Sequence, residues 1–260
     1  MKDKNRFGHL ELDSGPSKAA SSERPARTFE ATEYVSRAAE QVLSGAFDEA
    51  LRLYARALQQ KPHQEDAWVG QLLCLVAVGD HEEAILWSEK ALQYQPKSAD
   101  ITAARIMALA RVGRTREAME TSDQSMGLSG QSALVWIARA WSHGADRHEP
   151  ADRCVSKALE QSDNSPLVLL EVATFYMEQQ RWTHALKHIQ KLTSTRPALA
   201  RPWYLAGLCQ ARMGMHDAAL QALQEAHRLA PSNKRFRDAF HNQQNTGLLT
   251  SLWRRFTGNR

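Results

Sequence analysis

His184 and His188 stand four residues apart, a spacing that places two imidazoles on one helix face and can present both to a metal ion. Neither an HExxH arrangement nor an obvious third ligand accompanies them. His143, Asp146, His148, Glu149 and Asp152 form a second group whose residue types perform acid–base or metal chemistry. Their order has a plainer meaning. Asp146 with Glu149 and Pro150 has the form of a helix N-cap, its capping-box partner and a first-turn proline. Cys74, Cys154 and Cys209 are odd in number, far apart and without a CxxC pair, so they read as small buried hydrophobes. No GxGxxG, Walker loop, GxSxG or paired-carboxylate pocket appears. The expectation is therefore a non-enzyme, with no catalytic residue, no cofactor and no metal ligand.

The elements that carry these residues repeat. One alanine column runs Ala50, Ala84, Ala118, Ala151, Ala185 and Ala219, at intervals of 34 residues with one of 33. A second lies seven residues on: Ala57, Ala91, Ser125, Ala158, Leu192 and Ala226. A third closes most units with Pro62, Pro96, Gly130, Asp163, Pro197 and Pro231. A fourth precedes the first column by five residues, with Gly45, Gly79, Gly113, Gln180 and Gly214. Two antiparallel helices joined by short turns fill such a unit. The small residues mark close approach between helices, and the glycine supplies a positive φ at the turn. The proline stops the second helix.

With these columns the chain resembles the tetratricopeptide repeat (TPR) family. Trp203, Ala206, Gly207, Gly214, Ala219, Ala226 and Pro231 match its pattern closely, and Trp68, Gly79, Ala84, Ala91 and Pro96 nearly as well. The resemblance implies an all-α, right-handed superhelical solenoid of about six tandem helix–turn–helix repeats with a C-terminal capping helix. The boundaries expected are a disordered arm at 1–30, repeats at 31–64, 65–98, 99–132, 133–165, 166–199 and 200–231, a capping helix at 232–246, and a basic amphipathic tail at 247–260 after Gly247. The fourth repeat is a residue short, and Gly144 is expected to break its first helix early.

Composition, 43% hydrophobic and 24% charged, is that of an ordinary globular chain. No 18-residue apolar run exists, and no apolar segment follows Met1-Lys2-Asp3-Lys4, so neither a membrane span nor a secretory signal is expected. The arm holds one apolar patch, Phe7 to Leu12. Residues 232–260 carry six basic residues against Asp238 alone, a local balance of +5, leaving the rest of the +4 chain at −1. In the capping helix Phe236, Ala239, Phe240 and Gln243 share one face. In the tail Leu248, Leu249, Leu252, Trp253 and Phe256 form one stripe, with Arg254 and Arg255 on the other side.

The resemblance also implies a concave groove lined by the first helix of each repeat. Mapped onto this sequence, it runs through Val35, Ala39, Val69, Leu73, Val76, Met107, Arg111, Ile137, Trp141, Leu170, Thr174, Met177, Tyr204, Leu208 and Arg212. That surface is largely apolar, which implies an apolar or amphipathic peptide as ligand. The carboxylate clamp by which some family members hold chaperone tails is absent: Val35, Ala39, Asp100 and Ala104 occupy its positions. Three expectations of function follow. The first is a cytoplasmic protein–protein adaptor or assembly factor with a protein or peptide client. The second is a scaffold touching the inner face of a membrane through the tail. The third is self-assembly, the tail filling its own groove or that of another copy. Nucleic acid is the least favoured partner.

Overall fold

The computed structural model describes residues 29–128, 132–144 and 147–257, and for 246–257 it describes the course of the helix only. The Phe7–Leu12 patch, Gly130 and Asp146 lie outside the described residues. The described residues form helices and no strand: α1 (Ala31–Ser44), α2 (Phe47–Gln60), α3 (Glu65–Val78), α4 (His81–Tyr94), α5 (Ala99–Arg111), α6 (Thr115–Ser125), α7 (Ala133–Ser142), α8 (His148–Gln161), α9 (Pro166–Glu178), α10 (Trp182–Thr195), α11 (Ala200–Arg212), α12 (His216–Leu229) and α13 (Lys234–Thr257). This is an all-α solenoid of helical hairpins. Odd-numbered helices through α11 are the first helices of the hairpins, called helix A below, and their partners are helix B.

The turns follow from the glycine column. Gly79 and Gly113 adopt φ of 89° and 84°, and the residue after each closes the helix by donating back five residues, Asp80 N–H to Leu75 O at 2.9 Å and Arg114 N–H to Leu109 O at 3.0 Å. Gln180 adopts φ 56° at the same place, and Arg181 N–H still reaches Tyr176 O at 2.8 Å. The termination motif thus survives without glycine, at the cost of holding a side chain in the left-handed region. Helix α7 is short, ending at Ser142, with Gly144 at φ 70° just beyond.

The alanine columns lie where helices meet. Ala50, Ala84, Ala118, Ala151, Ala185 and Ala219 are at most 1% exposed, and so are all six members of the second column. Spacing between helices there is fixed by what the small residues permit. A Cβ on Gly207 would stand 2.5 Å from Leu223 Cγ and 3.1 Å from the Ala219 carbonyl oxygen. Trp68 fills the gap beside the small residues, stacked on Tyr94 at 5.7 Å, with its indole N–H donating to Pro62 O at 2.8 Å. Trp203 repeats that bond to Pro197 O.

Contacts divide the chain into two compact units, Met1–Val42 with Ala46–Cys154 and Leu43–Gly45 with Val155–Arg260, the division falling inside α8. In the first unit α5 packs against α3, α4, α6 and α7. In the second, α11 packs against α10 and α12, and α12 against α13. Phe236 of α13 joins Ala200 and Ala226 in a buried cluster, flanked by Trp203, Tyr204 and Leu229. Asn233 caps α13, its side-chain oxygen accepting from Arg235 N–H at 3.1 Å. One boundary differs from the sequence reading: α13 runs without interruption through Gly247. A single internal glycine costs about 1 kcal/mol relative to alanine, and no terminating turn forms there.

Two substitutions test the turn chemistry. Gln180→Gly should raise stability by about 0.5–1 kcal/mol, because it removes left-handed strain. Gly79→Ala should cost about 1 kcal/mol although nothing lies within 4 Å of the added methyl. Urea midpoints of the two variants, one rising and one falling, check both.

Candidate functional site

Polar side chains add specific links between one hairpin and the next. Ser98, the N-cap of α5, accepts from Ile101 N–H and donates to Glu65 of α3 at 2.5 Å. Ser132, the N-cap of α7, accepts from Leu134 N–H and donates to Asp100 of α5. Helices α5 and α7 are thus each capped by a serine that also grips an acid of the preceding helix A. Glu65, Gln95, Pro96, Lys97, Ser98, Ala99 and Asp100 line an open depression of about 550 Å³. Burial raises the Asp100 carboxyl above its usual range; the Ser132 bond opposes the shift, and Glu65 and Asp66 reinforce it.

A second set of links crosses to helix B. Arg105 lies 3.2 Å from Glu89 of the previous helix B, and Arg139 lies 3.0 Å from Asp123. Gln71 stands at the equivalent position of α3, is 1% exposed, and neither of its amide atoms has a hydrogen-bond partner. Ala55 occupies the place that Glu89 and Asp123 fill for the other two. In the second unit Arg201 of α11 and Glu171 of α9 form a buried ion pair at 3.7 Å, with side chains 7% and 5% exposed. The sequence reading gave none of these residues a linking role, and mapped Arg201 to the groove of the sixth repeat, where the structure buries it. Arg37, Gln71, Arg105 and Arg139 recur every 34 residues and could have been read as a column.

The fifteen groove positions divide. Leu73, Val76, Met107, Ile137, Trp141 and Leu170 are buried, with Met107, Ile137 and Leu170 at 0% exposure. They cannot line an open groove in this structure. The reason lies in the helices themselves: in α3 every residue from Gln71 to Val76 is buried, and in α9 every residue from Val168 to Ala173. A helix apolar all round is packed all round. The other positions keep access. In the first unit Val35 and Val69 are half-buried, Ala39 is exposed, and half-buried Arg111 lies over the Trp141 ring at 4.1 Å. In the second, Thr174, Met177 and Leu208 are half-buried and Arg212 is exposed. Half-buried Tyr204 stacks on Phe236 of α13 at 4.7 Å. Leu86 and Met215 are the large apolar side chains most exposed among the described residues, and neither is a groove position. Positions 248, 249, 252–256 lie on the last turns of α13.

The paired histidines pack on an aromatic ring. Tyr176 lies 5.8 Å from His188, nearly parallel at 7°, and 5.3 Å from His184. Among the described residues no three His, Cys, Asp or Glu side chains gather in a way that could hold a metal ion. All three cysteines are buried thiols, and burial pushes Cys209 up to about 12.

Two tetratricopeptide repeat family models match the chain, at residues 41–87 and 173–234. The chain is a tetratricopeptide repeat protein. A solved TPR protein from Parabacteroides merdae is similar in fold, with a TM-score of 0.52 and 14% identity over 85% of this chain and 87% of that one. The APC/C hetero-tetramer Cut9–Hcn1 aligns at a TM-score of 0.49 and 15% identity, covering 82% of this chain but only 43% of that chain. YrrB, a TPR protein with an unusual peptide-binding site, aligns at a TM-score of 0.43 and 16% identity, over 74% of this chain and 97% of that one. No curated protein matches this TPR chain in sequence.

Substitution separates packed from accessible positions. Leu170→Glu should unfold the protein or cost more than about 4 kcal/mol, because it places an unpaired charge in a closed site. Leu208→Glu should change stability by less than about 1.5 kcal/mol. Thermal unfolding of both variants gives the comparison. A pH dependence follows from His188. Burial, reinforced by Lys187, His184 and Lys191, lowers its pKa below the usual histidine value. The folded state therefore binds fewer protons than the unfolded one. That contribution to stability is complete above the unfolded pKa of about 6.5 and is lost as pH falls below it. His188→Phe should flatten the acid-side decline in the urea midpoint. His143, lowered chiefly by its own burial, keeps part of that decline in place.

Proposed function

We propose that this TPR protein is a non-catalytic interaction scaffold, an adaptor or assembly factor that holds an apolar or amphipathic peptide of a client protein on its helix A face. The fold supports the general role, since TPR proteins bind protein or peptide partners. The observation that carries the finer reading is in the second unit. Met177 of α9 and Leu208 of α11 remain partly accessible, and Arg212 lies exposed one turn beyond Leu208. The Arg201–Glu171 pair pins these two helices A together. A peptide would thus meet a surface already in place, with little ordering cost. Methionine adapts its shape to different apolar partners, and Arg212 suits a carboxylate on the polar side of a peptide helix. Leu170 of α9 is closed off and adds nothing to this surface.

The test is affinity capture from extract with the wild-type chain and with Met177→Glu/Leu208→Glu. The double variant should keep its helical circular dichroism and lose partners that the wild type retains. An unchanged partner set with intact folding would refute the reading.

A further inference from the structure

The continuity of α13 fixes the rotational phase of its two ends. At about 100° per residue, positions 236, 239, 240 and 243 span roughly 100° of arc. These form the packed face: Phe236 and Gln243 are buried, Phe240 stacks on His227 at 5.7 Å, and the Gln243 amide donates to His216 O at 3.3 Å. Along the same helix, positions 248, 249, 252, 253 and 256 centre roughly 160° away in helical phase, in the outer half opposite the packed face. The exposed Lys234, Arg235 and Arg237 fall in that same outer half, together with Asp238. Position 255 flanks the stripe, and position 254 lies on the packed side. The outer face of α13 is therefore basic in its first turns and apolar in its last, along a 24-residue helix of about 36 Å.

Charge and phase select the occupant. Folding back is opposed by phase, since the stripe and the packed face look in opposite directions. Pairing of two copies, stripe against stripe, would bring two segments of +5 together with only Asp238 as an acid in each. An anionic bilayer satisfies both ends at once, with acyl chains for Leu, Trp and Phe and phosphates for the basic turns. We propose that the outer face of α13 lies flat on an anionic lipid surface, with positions 248–256 at the headgroup–acyl boundary and Lys234, Arg235 and Arg237 over the lipid phosphates. No helix among the described residues is long and apolar enough to cross a membrane, so the contact is peripheral.

Co-sedimentation of the full chain with vesicles of phosphatidylcholine, alone or mixed with phosphatidylglycerol, tests this. The mixed vesicles should bind roughly tenfold or more tightly, less so at high salt. Trp253→Glu and Arg235→Glu/Arg237→Glu should each abolish most of the gain, with helical content unchanged. Inserting two alanines after Gly247 turns the stripe by roughly 200° and should weaken binding, whereas four alanines, roughly one full turn, should largely restore it. Equal binding to both vesicle types, or equal binding by the two insertion variants, overturns the proposal. So does self-association that Trp253→Glu abolishes in a chain that binds no vesicle, an outcome that would assign the face to a second copy.

Discussion

The close approach of helix B to helix A at the buried alanines is the constraint on which the rest of the structure depends. At Ala50, Ala84, Ala118, Ala151, Ala185 and Ala219 there is almost no free surface, so the hairpin spacing is set by the methyl group itself. Where the approach is tighter still, as at Gly207 against Leu223, even a methyl is excluded. This closeness closes off the apolar side of each hairpin. It also requires an abrupt reversal between the helices, which the left-handed residues at 79, 113, 180 and 214 provide. In a solenoid each hairpin touches its neighbours, so the same small column recurs wherever the fold continues.

Tight packing consumes most of the apolar surface, and this shapes the functional face. Apolar residues succeed one another in the middle of α3 and α9 because these stretches, 71–76 and 168–173, are buried on every side. What stays accessible on helices A is a set of partly covered side chains, and polar links join the hairpins. The N-cap serines Ser98 and Ser132 and the ion pairs of Arg105, Arg139 and Arg201 connect hairpins through contacts that require particular partners. Gln71, lacking such a partner, shows what happens when one side of that pattern changes. Removing one member of the buried Arg201–Glu171 pair would strand a charge, which costs far more than the pair contributes when intact.

The repeat architecture was legible in the sequence because it depends on small residues and turn residues, whose roles are local. Gln180 illustrates the reach of that reading: the column identified the turn position although the residue there was not glycine. Access to the candidate site was less legible. Leu73, Met107, Ile137 and Leu170 occupy the groove register of the family, but register does not say how closely the neighbouring helices A pack across them. Tyr204 reads as a groove residue, and Phe236, distant in sequence, covers part of it by stacking on its ring. Gly247 reads as a break because glycine is a poor helix former, yet the flanking helical turns outweigh one such residue.

The most direct measurement is the unfolding free energy of Ala84→Leu and Ala219→Leu, one substitution in each compact unit. If the alanines set the helix spacing, each leucine should lower stability by about 1–3 kcal/mol or more, despite its greater hydrophobicity and only slightly lower helix propensity. Unchanged or increased stability in both variants would contradict the account, because it would show that the helices have room to spare where the structure leaves none.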